Sequence, residues 1–163
     1  MNLLKGWTFL RIYSDFFGIE NEDILEKAES SVALYRTSSF DPDTVNLYAW
    51  MRRGELDFRK LNLPEYNRSA FEIWIEKGEW RNHITDETYF RQLPEIFKSY
   101  GVGLVFTRYL EKTVYGAVRW FDGNPLIQVS DKDKSLAVCW HTLFHETGHV
   151  LLHENDNVFE GEM

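Results

Sequence analysis

A chain of 163 residues, 44% hydrophobic and 16% aromatic, is long enough to bury a core and too apolar for a disordered segment. Its formal net charge of -8 is spread along the chain, which excludes a broad nucleic-acid surface, because phosphate binding needs Lys and Arg gathered on one face. A single cysteine, Cys139, excludes an internal disulfide framework, and no apolar run approaches the ~20 residues of a membrane span.

The first segment places Leu3, Leu4, Trp7, Leu10, Phe16 and Phe17 at roughly helical spacing and stops at Gly18. The same stretch carries Lys5, Arg11 and Asp15 and no cleavage pattern, so no signal peptide and a cytoplasmic location are expected. A second helix is predicted over 22–35, with Ile24, Leu25, Ala28, Val32 and Leu34 turned inward. Asp41-Pro42 reads as a helix start. The helix it opens runs through Leu47, Trp50 and Met51 to about Arg59, with a kink or break at Gly54. Ala70, Phe71, Trp74 and Ile75 mark another helix that ends near Gly78. The next is predicted to start at Thr85-Asp86 and stop at Gly101, with Pro94 kinking it or starting a new helix.

After Gly101 the period changes. Residues 102–110, 116–121 and 126–130 are rich in β-formers. Asp122-Gly123 between two of these runs is a hairpin signal, because both positions accept positive φ. Pro125 cannot donate to a ladder and belongs at the start of its strand. Asp131-Lys132-Asp133-Lys134 is a polar link, with an aspartate placed to cap a helix over about 135–153. The predicted fold class is α+β: a helical front half, then a three-stranded sheet leading into one helix.

That last helix contains His145-Glu146-Thr147-Gly148-His149, a His-Glu-x-x-His pattern expected by chance in fewer than about 1% of chains this long. His145 and His149 are one turn apart on one face, so both imidazoles can reach one metal ion. Glu146 sits where it can take a proton from a metal-activated water. The helix is apolar all round and is expected to be central and buried, with Gly148 admitting a neighbouring backbone. Two histidines and a carboxylate in such a place need partners, and zinc is the partner of choice. His141 and His153 continue the four-residue series. However, the ends lie ~18 Å apart along the axis, so these two are read as flanking residues rather than ligands. His83 stands apart in a charged loop, and Cys139 is read as a small buried residue. A catalytic zinc needs a third protein ligand. Glu154, Glu160 and Glu162 are the nearby acids, and the expected solution is a residue on a following helix, beyond Met163.

From Gly101 onward the chain resembles the ImmA/IrrE family of zinc peptidase-like domains. The stretches that carry the resemblance are Gly101 to Phe106, Gly116 to Trp120, Leu126 to Ser130 and Trp140 to His153, about a third of the chain. A weaker likeness, through Phe16-Phe17-Gly18, Tyr35 to Ser38 and Ala49 to Glu55, is to the connector of a subgroup in which a helix-turn-helix domain precedes the peptidase. The resemblance implies metal ligands at His145 and His149 and a general base at Glu146. It divides the chain into a helical connector over 1–84 and a zincin-like domain over 85–163, incomplete at its end. It also implies cleavage of a repressor- or antitoxin-like protein partner, with DNA reached only through a helix-turn-helix domain that this sequence lacks.

Tyr115 or Arg119, near the hairpin, are candidate donors to an oxyanion. The competing reading is a binding module: a catalytically inactive sensor or protein-recognition domain of a DNA-binding regulator. A further one is an oligomer interface built from Trp7, Trp50, Trp74 and Trp80.

Overall fold

The computed structural model describes residues 15–16 and 43–153. The helix predicted over 22–35 and the Asp41-Pro42 start lie outside the described residues; of the first predicted helix, residues 15 and 16 are described and are helical. Within 43–153 the fold is α+β. It comprises α1 (Thr44–Phe58), α2 (Arg68–Lys77), a 3-10 helix (Glu79–His83), α3 (Glu87–Lys98), β1 (Gly103–Thr107), β2 (Gly116–Phe121), β3 (Asn124–Ser130) and α4 (Leu136–Leu152). No helix among the described residues is long and apolar enough to cross a membrane.

Three of the helices start on side-chain caps. Asp43 Oδ1 accepts from the Asn46 N–H at 2.9 Å, Asn67 Oδ1 from Ala70 at 3.0 Å, and Asp86 Oδ1 from Thr88 at 2.8 Å and Tyr89 at 3.1 Å. The cap of α1 is therefore Asp43, two residues after the predicted one. α2 stops at Gly78, in the left-handed region at φ 65°. α3 runs through Pro94 as one helix, where a kink or a new start was expected. Phe90, Leu93 and Phe97 are buried on either side of the proline, and that packing outweighs the local preference.

The sheet order is β1-β3-β2. β1 runs parallel to β3, pairing Gly103 with Leu126 through to Thr107 with Ser130. β2 and β3 form the predicted hairpin, Gly116 opposite Val129 and Phe121 opposite Asn124. Asp122 and Gly123, at φ 53° and 85°, make the two-residue turn. Pro125 is the second residue of β3, facing Trp120.

Alternation along the strands gives the sheet two buried faces. Leu104, Val118, Ile127 and Val129 join Phe71 of α2, Phe90, Leu93 and Phe97 of α3, and Trp140, Leu143 and Val150 of α4 in one core. On the other face Val105 and Leu126 pack against Phe58 of α1. Residues on both sides of position 84 thus contribute to the cores that hold the sheet. Trp50 is fully buried, and Trp74 and Trp80 pack against the larger core, so these three are core residues rather than an oligomer surface; Trp7 lies outside the described residues.

α1 is also held by a buried polar network. The Gln128 Nε2 group donates to Trp50 O at 2.7 Å and to Thr107 Oγ1 at 3.0 Å, and Gln128 Oε1 accepts from Arg119 at 2.7 Å. Arg119 donates as well to Met51 O at 2.7 Å. Gly54, where a break was expected, is an interior residue of an unbroken helix, and it faces the Gln128 amide.

On the outer side of α1, Glu55 takes Arg52 at 2.9 Å and Arg59 at 2.8 Å. Burial alone would raise the Glu55 carboxyl, but the hydrogen bonds and charges of the two guanidinium groups outweigh it and hold the carboxyl below its ordinary value. A lowered folded-state pKa stabilises the fold at pH values above the unfolded pKa, and that contribution disappears as pH falls through the folded one. Glu55→Gln is therefore expected to cost up to about 1 kcal/mol at neutral pH. The difference from wild type should close as pH falls below the ordinary glutamate range, as followed by urea denaturation at a series of pH values.

Candidate metal centre

α4 begins at Ser135, whose side chain makes no capping bond. The aspartates of the preceding link, one of them expected to cap it, tie down the 108–115 loop instead. Asp131 Oδ1 accepts from the Tyr109 N–H at 2.6 Å, and Asp133 Oδ2 accepts from the Tyr115 hydroxyl at 2.9 Å. That bond to Asp133, with burial adding to it, pushes the Tyr115 phenol up.

The helix is not buried all round. Trp140, Leu143, Thr147 and Val150 turn into the fold, and the Thr147 hydroxyl is satisfied by Leu143 O at 2.8 Å. Phe144 lies against Trp80 of the 3-10 helix, ring centroids 3.8 Å apart. His141, Leu152 and His153 are exposed, and His145, Gly148 and His149 are half-buried between the two sides. No described residue lies within 4 Å of a Cβ placed on Gly148, so the neighbouring backbone expected there is not among them.

His145 and His149 converge: their Nε2 atoms are 3.0 Å apart, with ring centroids at 4.7 Å and planes at 83°. Two imidazoles on a tetrahedral zinc, with bonds of 2.0–2.1 Å, place their nitrogens about 3.3 Å apart. The pair is close to that spacing. His141 and His153 stand outside it, with ring centroids 6.4 Å from His145 and 5.7 Å from His149.

Glu146 lies one step round the helix from the pair and is 2% exposed. It is covered by the first residue of β2. A Cβ on Gly116 would sit 2.7 Å from Glu146 Oε1 and 2.6 Å from Thr142 Cγ2, so only glycine lets the strand approach this closely. Gly116 and Thr142 are the wall of the site that sequence reasoning missed. The available signals were a glycine opening a strand and a threonine four residues before the glutamate on the same helix face.

The two oxyanion candidates are placed elsewhere. Arg119 alternates with Val118 and so lies on the α1 face of the sheet, within the Gln128 network. The Tyr115 hydroxyl points to Asp133, at the opposite end of α4 from His149. His83 stacks on Tyr89 at 4.1 Å. Cys139 is half-buried, and burial, together with the nearby Asp131 and Asp133 charges, pushes its thiol up.

Glu154, Glu160 and Glu162 lie outside the described residues, and among those described no group of three or more His, Cys, Asp or Glu converges. The site therefore presents two nitrogen donors beside a buried carboxylate. These features define an α+β protein whose last described helix bears a paired-histidine motif. Comparison with protein-family models, curated proteins and solved structures finds no match to this chain.

Proposed function

We propose that this helix carries the centre of a zinc-dependent peptidase-like domain of ImmA/IrrE type, with zincin-like packing of α4 beneath the sheet. The single observation that carries the reading is the 3.0 Å approach of His145 Nε2 to His149 Nε2, next to a buried Glu146. The donor set fits the metal: two imidazoles of one helix turn are zinc ligands, and a third protein donor completes such a site. When bound, zinc supplies a Lewis acid that polarises a peptide carbonyl and makes water nucleophilic at neutral pH.

The residues of the chain do the rest. His145 and His149 hold the ion on the half-exposed flank of α4. Glu146 accepts the proton of the attacking water and passes it to the leaving amine. The Gly116 wall keeps bulk solvent off that carboxylate. Among the described residues β2 pairs only with β3, so its outer edge can take an extended peptide as an added strand beside Glu146. The partner this reading assigns is a repressor- or antitoxin-like protein, in a regulatory rather than a digestive role.

Zinc titration by calorimetry tests the assignment. The wild-type protein is expected to bind one equivalent. His145→Ala and His149→Ala should each weaken binding by at least about a hundredfold, and His141→Ala by little. A His149→Ala protein that bound zinc as tightly as wild type would overturn it.

A further inference from the structure

Remote from the histidine pair, a cavity of about 550 Å³ opens where the parallel strands β1 and β3 end and α4 begins. Its size is that of a small-molecule site, since such ligands settle in clefts of about 300–1,000 Å³. Its floor is apolar. Phe106 of β1 is 42% exposed, though it lies inside a strand, and it meets Phe90 of α3 at 5.1 Å between ring centroids. Leu136 and Cys139 of α4 complete that surface.

The rim is charged, and its charges are not equally engaged. Of the two acids, Glu87 is paired with Arg91 at 2.5 Å and Asp131 accepts the Tyr109 N–H at 2.6 Å. Arg108 and Lys134 also line the cavity, and among the described residues neither has an ion-pair partner. Two unengaged cations above an exposed aromatic floor call for a ligand with a negative head and a flat apolar body.

We infer that this cavity binds a small aromatic carboxylate, its ring laid on Phe106 and Phe90 and its carboxylate between Arg108 and Lys134. The site does not depend on the zinc reading, since none of its residues belongs to the histidine pair. It does, however, sit on the same helix, so a bound ligand would be felt at the start of α4.

Calorimetry with 1-naphthoate, and with 1-naphthalenemethanol as its neutral counterpart, tests the inference. One equivalent of naphthoate is expected to bind at least about fivefold more tightly than the alcohol, and Arg108→Gln and Lys134→Gln should each weaken it at least about threefold. Both residues are exposed, so the variants keep the wild-type melting temperature. Cys139, the one cysteine of the chain, reports occupancy separately: bound naphthoate should slow its alkylation by iodoacetamide. Equal affinity for the alcohol, unchanged affinity in both variants, or an unprotected Cys139 at saturation would each overturn the inference.

Discussion

Glu146→Gln is expected to lower peptide hydrolysis by at least about a hundredfold while leaving zinc in place. The amide keeps the shape of the carboxylate but cannot accept the proton of the attacking water, and neither histidine is touched. Glu146 is 2% exposed, and the amide occupies the same volume, so the variant is expected to keep the wild-type fold, as read by its thermal midpoint. Loss of activity would then be a loss of chemistry and not of fold. The zinc-loaded protein and the variant would be compared on a fluorogenic peptide library, with metal content measured in parallel. Cleavage within threefold of wild type would remove Glu146 from the mechanism. Zinc binding without cleavage by the wild-type protein would instead favour a recognition module.

The second large effect is on stability. In an exposed helix Gly→Ala is worth up to about 1 kcal/mol in favour of alanine. At Gly54 the sign reverses. A Cβ there would lie 2.0 Å from Gln128 Oε1 and 2.1 Å from Cδ. Gln128 is fully buried, and its amide is fixed by Trp50 O, Thr107 Oγ1 and Arg119, so it cannot give way without breaking buried hydrogen bonds. Gly54→Ala is expected to destabilise the fold by about 2–4 kcal/mol.

Gln128→Ala removes the obstruction but takes an acceptor from the buried Arg119 guanidinium, and should itself cost about 2–3 kcal/mol. The double variant should be less damaged than the sum of the two by at least about 1 kcal/mol, because the clash exists only when both side chains are present. Guanidinium unfolding of the four proteins measures this. A Gly54→Ala protein as stable as wild type would show that the helix and β3 are not in contact there. The effect reaches the site through the sheet: β3 lies between α1 on one face and α4 on the other, and it holds β2, whose Gly116 covers Glu146.

Much of this architecture was legible in local chemistry. The stop at Gly78, the cap at Asp86 and the Asp122-Gly123 turn each follow from one or two residues and their permitted backbone angles. The histidine pair followed from spacing alone, since residues four apart on a helix share a face whatever surrounds them. Where local rules failed, a distant partner decided. Pro94 stays helical because Phe90, Leu93 and Phe97 are buried around it. Gly54 is a contact and not a break because Gln128, 74 positions later, needs its space. The aspartates before α4, where a helix cap was expected, bond instead Tyr109 and Tyr115 of a loop that only the fold brings near.

By itself, then, the sequence determined the four α-helices and three strands of residues 43–153, the hairpin and the face on which two imidazoles meet, because these depend on contacts within a few residues. The tertiary structure alone decided that β3 is the central strand, that Arg119 faces α1 and not the site, and that Gly116 closes over Glu146. Those depend on which buried surfaces find each other across the chain, and spacing along the sequence carries no record of that.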